Sequence, residues 1–434
     1  MSRLLSTSLT AGTEAVPRVV GGEGVYFELA DGRRIIDASN TAAPLGHRHP
    51  EMIAAVRDAV DSPAVNEGWS WQARQEAADE LVRESLLDAD WIGGVRFFLS
   101  ASEANDAVLA LAQALTGRSD LATRERAYHG GSGLARDLTV QPHWHGGLSS
   151  ASQPIRPVPR SVTVHELPAP TSARVTGQPD PTAGGHWKPA ALRALRSSAA
   201  VLLDYSQGGI YHSPAYQDEV AALAKEAGAL WIADETVTGF GRVGGWMQFH
   251  QGTAVPDAVT MGKCLAAGSS PAGAVVFSRE LLERLDGSSW QTYSTFRGHP
   301  ITVAAIAAHV RISARDRIFE RAATFDAAML ASLTEIAERH PSVRRIDGRG
   351  LHWTIELHGP DWQTWRGQEE EPIASRVAAT ALREGVLLAT SGEQTSFFIA
   401  PPLIVEHEHL DRILSAVDAG LAVADRALVK LQLA

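Results

Sequence analysis

The stretch LWIADETVTGFGR, residues 230–242, carries the pattern that decides the fold. A short apolar run ends at the acidic Asp234, and small residues follow it. Such runs are typical of strands covered on both faces of a parallel sheet, and ligands bind outside the carboxyl ends of these strands. We therefore predict that Asp234 faces a crevice. There it can pair with a cationic group of a ligand, cap a helix or form an ion pair with Arg242, and the residues alone leave these roles open.

Similar apolar runs alternate with helix-like segments from Glu51 to about Ile312. This alternation indicates an α/β fold with a mostly parallel sheet covered by helices. Because the runs are nearly continuously apolar, we expect all of these strands to be central in the sheet. The predicted strands are 95–99, 200–204, 230–234, 258–261 and 273–278, and the predicted helices are 104–115 and 218–227.

The rest of the chain predicts a further, smaller domain. Residues 141–189 are rich in Pro, Ser, Thr and Gly, and we interpret them as a long irregular surface excursion. A helical pattern at 319–340 and an alternating stretch at 351–357 predict an α+β C-terminal domain. We expect an N-terminal segment at residues 1–50 packed with the small domain, a large domain at 51–312 and a small domain at 313–434.

Composition limits the classes of function. The chain has 434 residues, 44% of them hydrophobic, and a net charge of −11. Because both signs of charge are spread along the sequence, no basic stripe invites nucleic acid or a membrane surface, and we expect small-molecule partners. Cys264 is the single cysteine, which excludes a disulfide framework within one chain. Met1 to Thr10 show no leader pattern and no apolar run could span a bilayer, so we expect a soluble cytoplasmic protein.

The sequence FFLSASEAN, residues 97–105, predicts an anion site at a strand-to-helix turn. An apolar strand runs into small residues and then into a helix that we expect to begin at Ser102. Free backbone N–H groups and the helix dipole favour an anion there, such as a phosphate. Ser100 or Ser102 could instead simply cap the helix, as serine often does.

Lys263 follows a predicted strand and lies among small residues in GKCLAAG, residues 262–268. Most lysines are solvated surface charges, but a lysine at a strand end in a cleft can lose its proton and act as a nucleophile. A Walker-type phosphate loop is excluded, because Cys264 stands where Ser or Thr is required and Asp257 stands at the place of the first glycine.

Taken together and in this order, the motifs resemble those of the class III aminotransferases, which belong to fold type I of the pyridoxal 5′-phosphate (PLP) enzymes. The resemblance runs over most of the chain. SASEA (100–104) resembles the family's SGSEA, YHG (128–130) its YHG, DETVTGFGR (234–242) its DEVxTGFGR, TMGK (260–263) its lysine segment, STFRGHP (294–300) its STFGGNP, and GRGL (348–351) its RGxGL.

The resemblance implies that Lys263 holds PLP as a Schiff base and shuttles protons, and that Asp234 binds the pyridine nitrogen. In the family, the residue that matches Thr295 reaches the phosphate of the neighbouring subunit, so a homodimer is implied. The other implied cofactor contacts are Ala101 and Ser102 at the phosphate and Tyr128 and Thr236 on the two faces of the ring.

Two departures from the family pattern affect the cofactor side. The family's EPVxGxGG segment is replaced by DYSQGG at residues 204–209, which has a shorter acid, no proline and one residue fewer. Ala101 replaces a glycine, which is tolerable only if this residue keeps a negative φ.

Phe398 is the departure that bears most on the substrate. It occupies the place where many relatives carry a carboxylate-binding arginine. Loss of that guanidinium removes a selective site for an α-carboxylate. We therefore expect a substrate without a standard α-amino acid head, or another arginine in its place. Arg297 is the natural substitute, although it could equally supplement the cofactor phosphate or form an intersubunit ion pair.

Trp69 and Trp71 lie where the resemblance places substrate-pocket residues at the dimer interface. Aromatic walls suit an apolar substrate, although an ordinary buried patch fits these two residues about equally well. His47 and His49 have no matching set of ligands, so we predict no metal site.

The predicted activity is PLP-dependent transfer of an amino group from an amine or amino acid donor to a carbonyl acceptor. The same lysine and aspartate would also support a PLP decarboxylase, epimerase or aminomutase, since fold does not fix the reaction. A non-catalytic binding protein on this fold is a more remote alternative, which the intact Lys263 and Asp234 disfavour.

Overall fold

The computed structural model describes residues 18–141, 144, 146–150, 153–175, 179–359, 372–391 and 395–433. The first 17 residues of the predicted N-terminal segment, including Met1 to Thr10, lie outside the described residues. Within the described ranges, every helix is too short or too polar to cross a membrane.

Four sheets are built from seventeen strands in the described part of the chain. In chain order these strands are β1 (Val19–Glu23), β2 (Tyr26–Leu29), β3 (Arg34–Asp37), β4 (Ile92–Phe98), β5 (Asp120–Arg124), β6 (Leu148–Ser150), β7 (Gln153–Arg156), β8 (Val164–Leu167), β9 (Ser198–Asp204), β10 (Leu230–Asp234), β11 (Ala258–Met261), β12 (Gly273–Ser278), β13 (Val343–Arg349), β14 (His352–Leu357), β15 (Val386–Leu387), β16 (Ala389–Thr390) and β17 (Ser396–Ile399).

The α-helices pack against these strands, as is typical of an α/β fold. They are α1 (Pro50–Val60), α2 (Gln72–Glu80), α3 (Ala101–Thr116), α4 (Gly133–Asp137), α5 (Lys188–Ser197), α6 (Pro214–Ala227), α7 (Arg279–Glu283), α8 (Pro300–Arg315), α9 (Ile318–Arg339), α10 (Ile373–Arg383) and α11 (His407–Leu433). Shorter helical turns occupy Leu81–Ser85, Ala183–Gly185, Gln207–Gly209, Phe249–Gln251 and Lys263–Ala266.

The largest sheet has seven strands in the order β4-β12-β11-β10-β9-β5-β8. Strand β12 runs antiparallel to both of its neighbours, and the other pairs are parallel. The predicted strands at 230–234, 258–261 and 273–278 have the bounds observed for β10, β11 and β12. The prediction of a mostly parallel sheet is thus confirmed.

The prediction that all of these strands are central is wrong for β4, which lies at an edge of the sheet. Its apolar character comes from Phe97 and Phe98 near the strand end, which are buried, whereas Val95 is only half-buried. A strand end covered by helices therefore resembles a central strand in the sequence.

The interpretation of residues 141–189 as an irregular excursion is also wrong in part. Strands β6 and β7 pair as a hairpin, and β8 forms the other edge of the large sheet through parallel pairing with β5. Strand β8 has four residues, VHEL, of which only Leu167 is buried. So short and polar an edge strand has no clear apolar signal.

The C-terminal part of the chain is α+β, as predicted. The predicted helix at 319–340 corresponds to α9, and the alternating stretch at 351–357 corresponds to β14. Strands β13, β14, β17 and β16 form an antiparallel sheet, which we call the small sheet. Strand β3 pairs with β15, so N-terminal and C-terminal residues share a further sheet. The numerical domain boundaries stay a prediction.

The topology brings several loops together at one edge of the large sheet. Strands β4, β5, β9, β10 and β11 run in the same direction, so the residues that follow them emerge at the same edge. Asp204 and Asp234 are register partners on neighbouring strands, and Lys263 follows the next strand. This edge is where a parallel sheet binds ligands.

Candidate active site

A cavity of about 370 Å³ lies at this edge of the large sheet. It brings together six of the predicted site residues: Ala101, Ser102, Tyr128, Asp234, Thr236 and Lys263. The remaining wall is built largely by the segments 204–207 and 268–272. The cavity therefore brings together predicted cofactor residues of one chain from four separate strand-to-loop junctions, those after β4, β5, β10 and β11.

The predicted anion site is a helix N-terminus capped by Ser100. The hydroxyl of Ser100 accepts a hydrogen bond from the backbone N–H of Glu103 (3.2 Å), and Oε2 of Glu103 accepts one from the N–H of Leu99 (2.9 Å). Helix α3 begins at Ala101, one residue earlier than predicted, so Ala101 has a right-handed backbone and its methyl group causes no strain. The N–H groups of Ala101 and Ser102 have no carbonyl partner within the helix and can bind an anion.

Three glycines lie in close contact with this turn, and the sequence analysis did not identify this role. A Cβ atom on Gly130, whose φ is +131°, would overlap Oγ of Ser102, and one on Gly273 would overlap the carbonyl oxygen of Ser100. A Cβ atom on Gly262 would lie 2.6 Å from Cβ of Ala101. The backbone of each of these glycines therefore lies closer to the turn than a residue with a Cβ atom would allow.

Asp234 is buried, and three donors compensate its charge. Its Oδ2 accepts hydrogen bonds from Nδ1 of His129 (2.8 Å) and Nδ2 of Asn105 (3.0 Å), and its Oδ1 accepts one from the N–H of Thr236 (3.0 Å). Burial alone would raise the pKa of Asp234, but the hydrogen bond and charge of His129, with the backbone N–H of Thr236, hold this pKa below its ordinary value. The alternative ion pair with Arg242 is not formed, because Arg242 donates to the carbonyl oxygens of Leu351 and Pro401.

His129 is a residue whose role the sequence analysis did not identify, although it lies in the quoted YHG motif. Its Nε2 lies 2.9 Å from Oγ1 of Thr123, whose own hydroxyl donates to the carbonyl oxygen of Leu202 (2.9 Å). Nε2 must therefore be the donor to Thr123, while Nδ1 faces the carboxylate of Asp234. Both ring nitrogens of His129 are thus engaged, and the hydrogen bond from Nδ1 compensates the charge of Asp234.

Lys263 is held in the cavity in a strained conformation. Its φ is +40°, in the left-handed region that costs a residue with a side chain roughly 1–2 kcal/mol. Burial lowers the pKa of its ammonium group, and the negative charge of Asp234 opposes this effect only in part. A lowered pKa favours the neutral amine, which is the nucleophilic form.

These groups fit PLP. Lys263 supplies an amine, Asp234 supplies an anion for a ring cation, and the start of α3 supplies donors for a phosphate. Oγ1 of Thr236 and Oγ of Ser206 are buried, belong to residues of the cavity wall and have no hydrogen-bond partner among the described residues. Such orphaned polar atoms are costly unless a ligand satisfies them.

The DYSQGG segment is anchored by an arginine that the sequence analysis did not single out. Arg124 is fully buried and forms an ion pair with Asp204, and it also donates to the carbonyl oxygen of Gln207 (2.9 Å). Oδ2 of Asp204 lies 3.9 Å from Nε2 of His129. Asp204, the shorter acid, thus forms an ion pair with Arg124, and this ion pair holds the segment 204–207 in the cavity wall.

Arg297 lies outside the cavity, buried in an ion-pair network of its own chain. Its Nε donates to Oε1 of Glu103 (2.8 Å), its Nη1 lies 3.7 Å from Glu67, and its guanidinium covers the ring of Phe98. Thr295, two residues earlier, is exposed. Arg297 therefore connects the loop of Thr295 to the first turn of α3.

Trp69 and Trp71 differ in their environments. The side chain of Trp69 is 70% exposed, whereas Trp71 is half-buried, packs on the core and precedes helix α2. Neither residue lines the cavity described above. In the described structure, the two tryptophans thus do not form a joint wall of this cavity.

Phe398 lies on strand β17 in an aromatic stack. Its ring stacks on His352 with a centroid distance of 5.6 Å, and His352 in turn forms a hydrogen bond with the hydroxyl of Tyr211. Burial, together with the positive charges of Arg242 and Lys263, lowers the pKa of His352 to about 3. The stack is therefore uncharged at neutral pH.

Comparisons with known proteins agree with this geometry. The model of a family described as aminotransferase class-III matches residues 11–421. The acetylornithine aminotransferase of Mycobacterium tuberculosis is 30% identical over 416 residues, which cover 94% of this chain and 92% of that protein. Ethanolamine-phosphate phospho-lyase homolog 1 of Caenorhabditis elegans is 26% identical over 425 residues, covering 92% and 87%.

Solved structures give the same result for the fold. The crystal structure of an S-selective transaminase from Arthrobacter sp. has a TM-score of 0.88 at 27% identity and covers 98% of this chain and 96% of that one. The predicted PLP fold type I is confirmed by this likeness.

The contact between Gly130 and Ser102 can be tested by substitution. We expect Gly130→Ala to weaken PLP binding at least tenfold and to lower the free energy of unfolding by roughly 1–3 kcal/mol, because the new methyl group displaces Ser102. Gly131→Ala is the matched control, since a Cβ atom there meets no atom within 4 Å. Equal PLP affinity in both variants, measured by titration of the apoprotein, would contradict this role.

Proposed function

The chain belongs to the class III aminotransferase family and is a PLP-dependent transaminase, and we propose that it acts on substrates whose reacting end carries no α-carboxylate. The observation that carries this proposal is the uncharged stack of Phe398 on His352, at the place where many relatives carry a carboxylate-binding arginine. The ring of Phe398 offers an α-carboxylate no cationic partner, so binding there would leave the charge of the carboxylate uncompensated.

Lys263 and Asp234 carry the chemistry in this proposal. PLP, when bound, supplies a carbonyl carbon that condenses with amines and a ring that accepts electron density from the substrate. Nζ of Lys263 takes the proton from the amine-bearing carbon of the donor and returns a proton to the carbonyl carbon of the acceptor. Asp234, kept anionic by His129, stabilises the positive charge on the pyridine nitrogen.

The other predicted residues bind and orient the cofactor. The N–H groups of Ala101 and Ser102 hold the phosphate, supported by the close approach of Gly130 and Gly262. Tyr128 and Thr236, both in the cavity wall, cover the two faces of the ring. Nζ of Lys263 thereby meets the reacting atoms in a fixed geometry, which is the main requirement for rapid proton transfer.

We also propose a homodimer formed through a patch of exposed aromatic residues. Trp69, Tyr293 and Phe296 are 70%, 60% and 60% exposed. Their loops are adjacent, since Oε2 of Glu67 accepts a hydrogen bond from the N–H of Ser294 (3.1 Å). Exposed apolar clusters of this kind mark interaction sites, and the same loop carries Thr295, which would reach the partner's phosphate.

The assignment of Lys263 as the residue that bonds PLP predicts a spectroscopic result. Lys263→Ala is expected to abolish both the visible absorbance band of bound PLP and all amino transfer, because the amine that bonds the cofactor is lost. Lys225→Ala, at an exposed position of α6, is the control and should retain both. A band of wild-type position and intensity in Lys263→Ala would show that another lysine carries the cofactor.

The role of Phe398 predicts a change of donor preference. We expect Phe398→Arg to raise kcat/KM for α-amino acid donors, relative to hexylamine, by about tenfold or more, since a charge-assisted pair becomes available. Phe398→Leu keeps an apolar wall and should leave the ratio near its original value. If wild-type enzyme already prefers α-amino acids and Phe398→Arg does not change the ratio, the proposed selectivity is wrong.

The proposed dimer face predicts the behaviour of surface variants. Trp69→Glu should shift the protein from dimer to monomer and weaken PLP binding, because a buried charge at the interface is unfavourable and the partner's Thr295 is lost. Val255→Glu introduces the same charge at a 57% exposed position just before β11. Light scattering after gel filtration distinguishes the two, and an unchanged dimer in Trp69→Glu would place the interface elsewhere.

A further inference from the structure

One face of the small sheet carries most of its polar side chains and contacts the segment 207–211, whose first residue, Gln207, lines the cavity. Side chains alternate along a strand, so His352, Thr354 and Glu356 of β14 share one face. The hydroxyl of Tyr211 contacts Thr354 (3.2 Å), and a Cβ atom on Gly209 would lie 2.9 Å from Cγ2 of Thr354. Phe398 is the register partner of Thr354, and its ring stacks on His352, so it belongs to the same face.

This face also carries an arginine cluster built on Glu356. Oε2 of Glu356 accepts from Nε of Arg345 (3.1 Å) and from Nη1 of Arg126 (3.3 Å). Arg345 is 4% exposed, and its Nη1 is buried without a partner among the described residues. Burial would raise the pKa of Glu356, but Arg126, Arg345 and Arg344 together lower it. Two guanidiniums thus share one carboxylate oxygen, which leaves positive charge in excess.

Arg344 and Arg126 are the partly exposed members of this cluster, and the one shown to contact the DYSQGG segment is Arg126. Its side chain is 41% exposed, and its φ of +61° is an unusual conformation for arginine. It precedes the cavity residue Tyr128 by two positions, and its Nη1 lies 3.5 Å from the carbonyl oxygen of Gly208, next to the cavity residue Gln207. Its guanidinium therefore lies beside the cavity wall.

The two glycines of the DYSQGG segment make this arrangement possible. A Cβ atom on Gly208, whose φ is +62°, would lie 2.5 Å from Cβ of Arg126, and one on Gly209 would lie 3.1 Å from Nη2 of Arg345. Side chains at these two positions would push both arginines away. The position of the cluster thus depends on Gly208 and Gly209, which the DYSQGG segment shares with the family pattern.

We propose that Arg126, supported by Arg345 and Glu356, binds an anionic group at the far end of the substrate. Glu356 is two residues along β14 from Thr354, the register partner of Phe398, so the cluster lies about 7 Å along the sheet from Phe398. Because Arg126 does not line the cavity that contains Lys263, we expect the anionic group to be several bonds away from the amine-bearing carbon of the substrate. This inference rests on the proposed function, because it names the substrate class of the same site.

Both a carboxylate and a phosphate have the chemistry that a guanidinium recognises, through paired charge-assisted hydrogen bonds. The donors ω-aminohexanoate and ω-aminopentyl phosphate present these two groups at similar distances from the amine, and hexylamine presents neither. For the wild-type holoenzyme, we expect a higher kcat/KM for at least one anionic donor than for hexylamine.

Arg126→Gln tests the site, because it keeps the stem of the side chain and removes the charge. The ratio of kcat/KM for the preferred anionic donor to that for hexylamine should fall about tenfold or more. Arg126→Lys should retain a larger part of the ratio. Arg196→Gln, an exposed arginine of α5, is the matched control and should leave the ratio as in the wild type.

The outcomes separate this inference from the proposed function. A loss confined to one anionic donor identifies its group as the ligand, and a loss for both identifies a site that accepts either. A ratio that is equal in wild type and Arg126→Gln overturns the inference. If no donor transfers its amino group, the proposed function fails, and calorimetric binding of hexanoate and pentyl phosphate to the PLP-loaded protein still tests Arg126.

Discussion

A buried carboxylate is unfavourable unless hydrogen bonds and charge compensate it, and the centre of this protein is arranged around that constraint. Asp234 is compensated by His129, Asn105 and the N–H of Thr236. Asn105 belongs to helix α3, which begins at the predicted anion site, and His129 follows strand β5. One carboxylate thus connects three junctions of the large sheet. In the proposed function, the contacts that stabilise this buried charge also keep it available for the pyridine nitrogen of PLP.

The small sheet carries Phe398, the departure from the family pattern that bears most on the substrate. An uncharged stack of Phe398 and His352 lies on the face that meets the active-site segment. Positive charge is concentrated two residues beyond Thr354 along strand β14, where Arg126 and Arg345 contact Glu356. Moving a cationic group along a sheet while keeping the lysine and aspartate in place is a simple way to change the substrate of a fixed catalytic centre.

Much of the fold could be predicted because strands of a covered sheet are marked by local apolar runs. Three strands had the observed bounds, and six predicted cofactor residues line one cavity. Strand β8 was missed because a short edge strand is half exposed and carries polar residues. Strand β4 was misplaced because burial by helices and burial by neighbouring strands leave the same pattern in a sequence. Arg297 was a reasonable candidate from its motif, but the structure pairs it with Glu103 and Glu67.

The sequence by itself determined which residues follow the strand ends, and hence that Asp234 and Lys263 meet at one edge of a parallel sheet, since strand formation and direction depend on short stretches of chain. Only the tertiary structure decided which side chains contact one another there. His129 and Asp234 are 105 residues apart, and Arg126 and Glu356 are 230 residues apart. Contacts over such separations depend on how sheets, helices and glycine-permitted turns pack together, and no local pattern of residues records that packing.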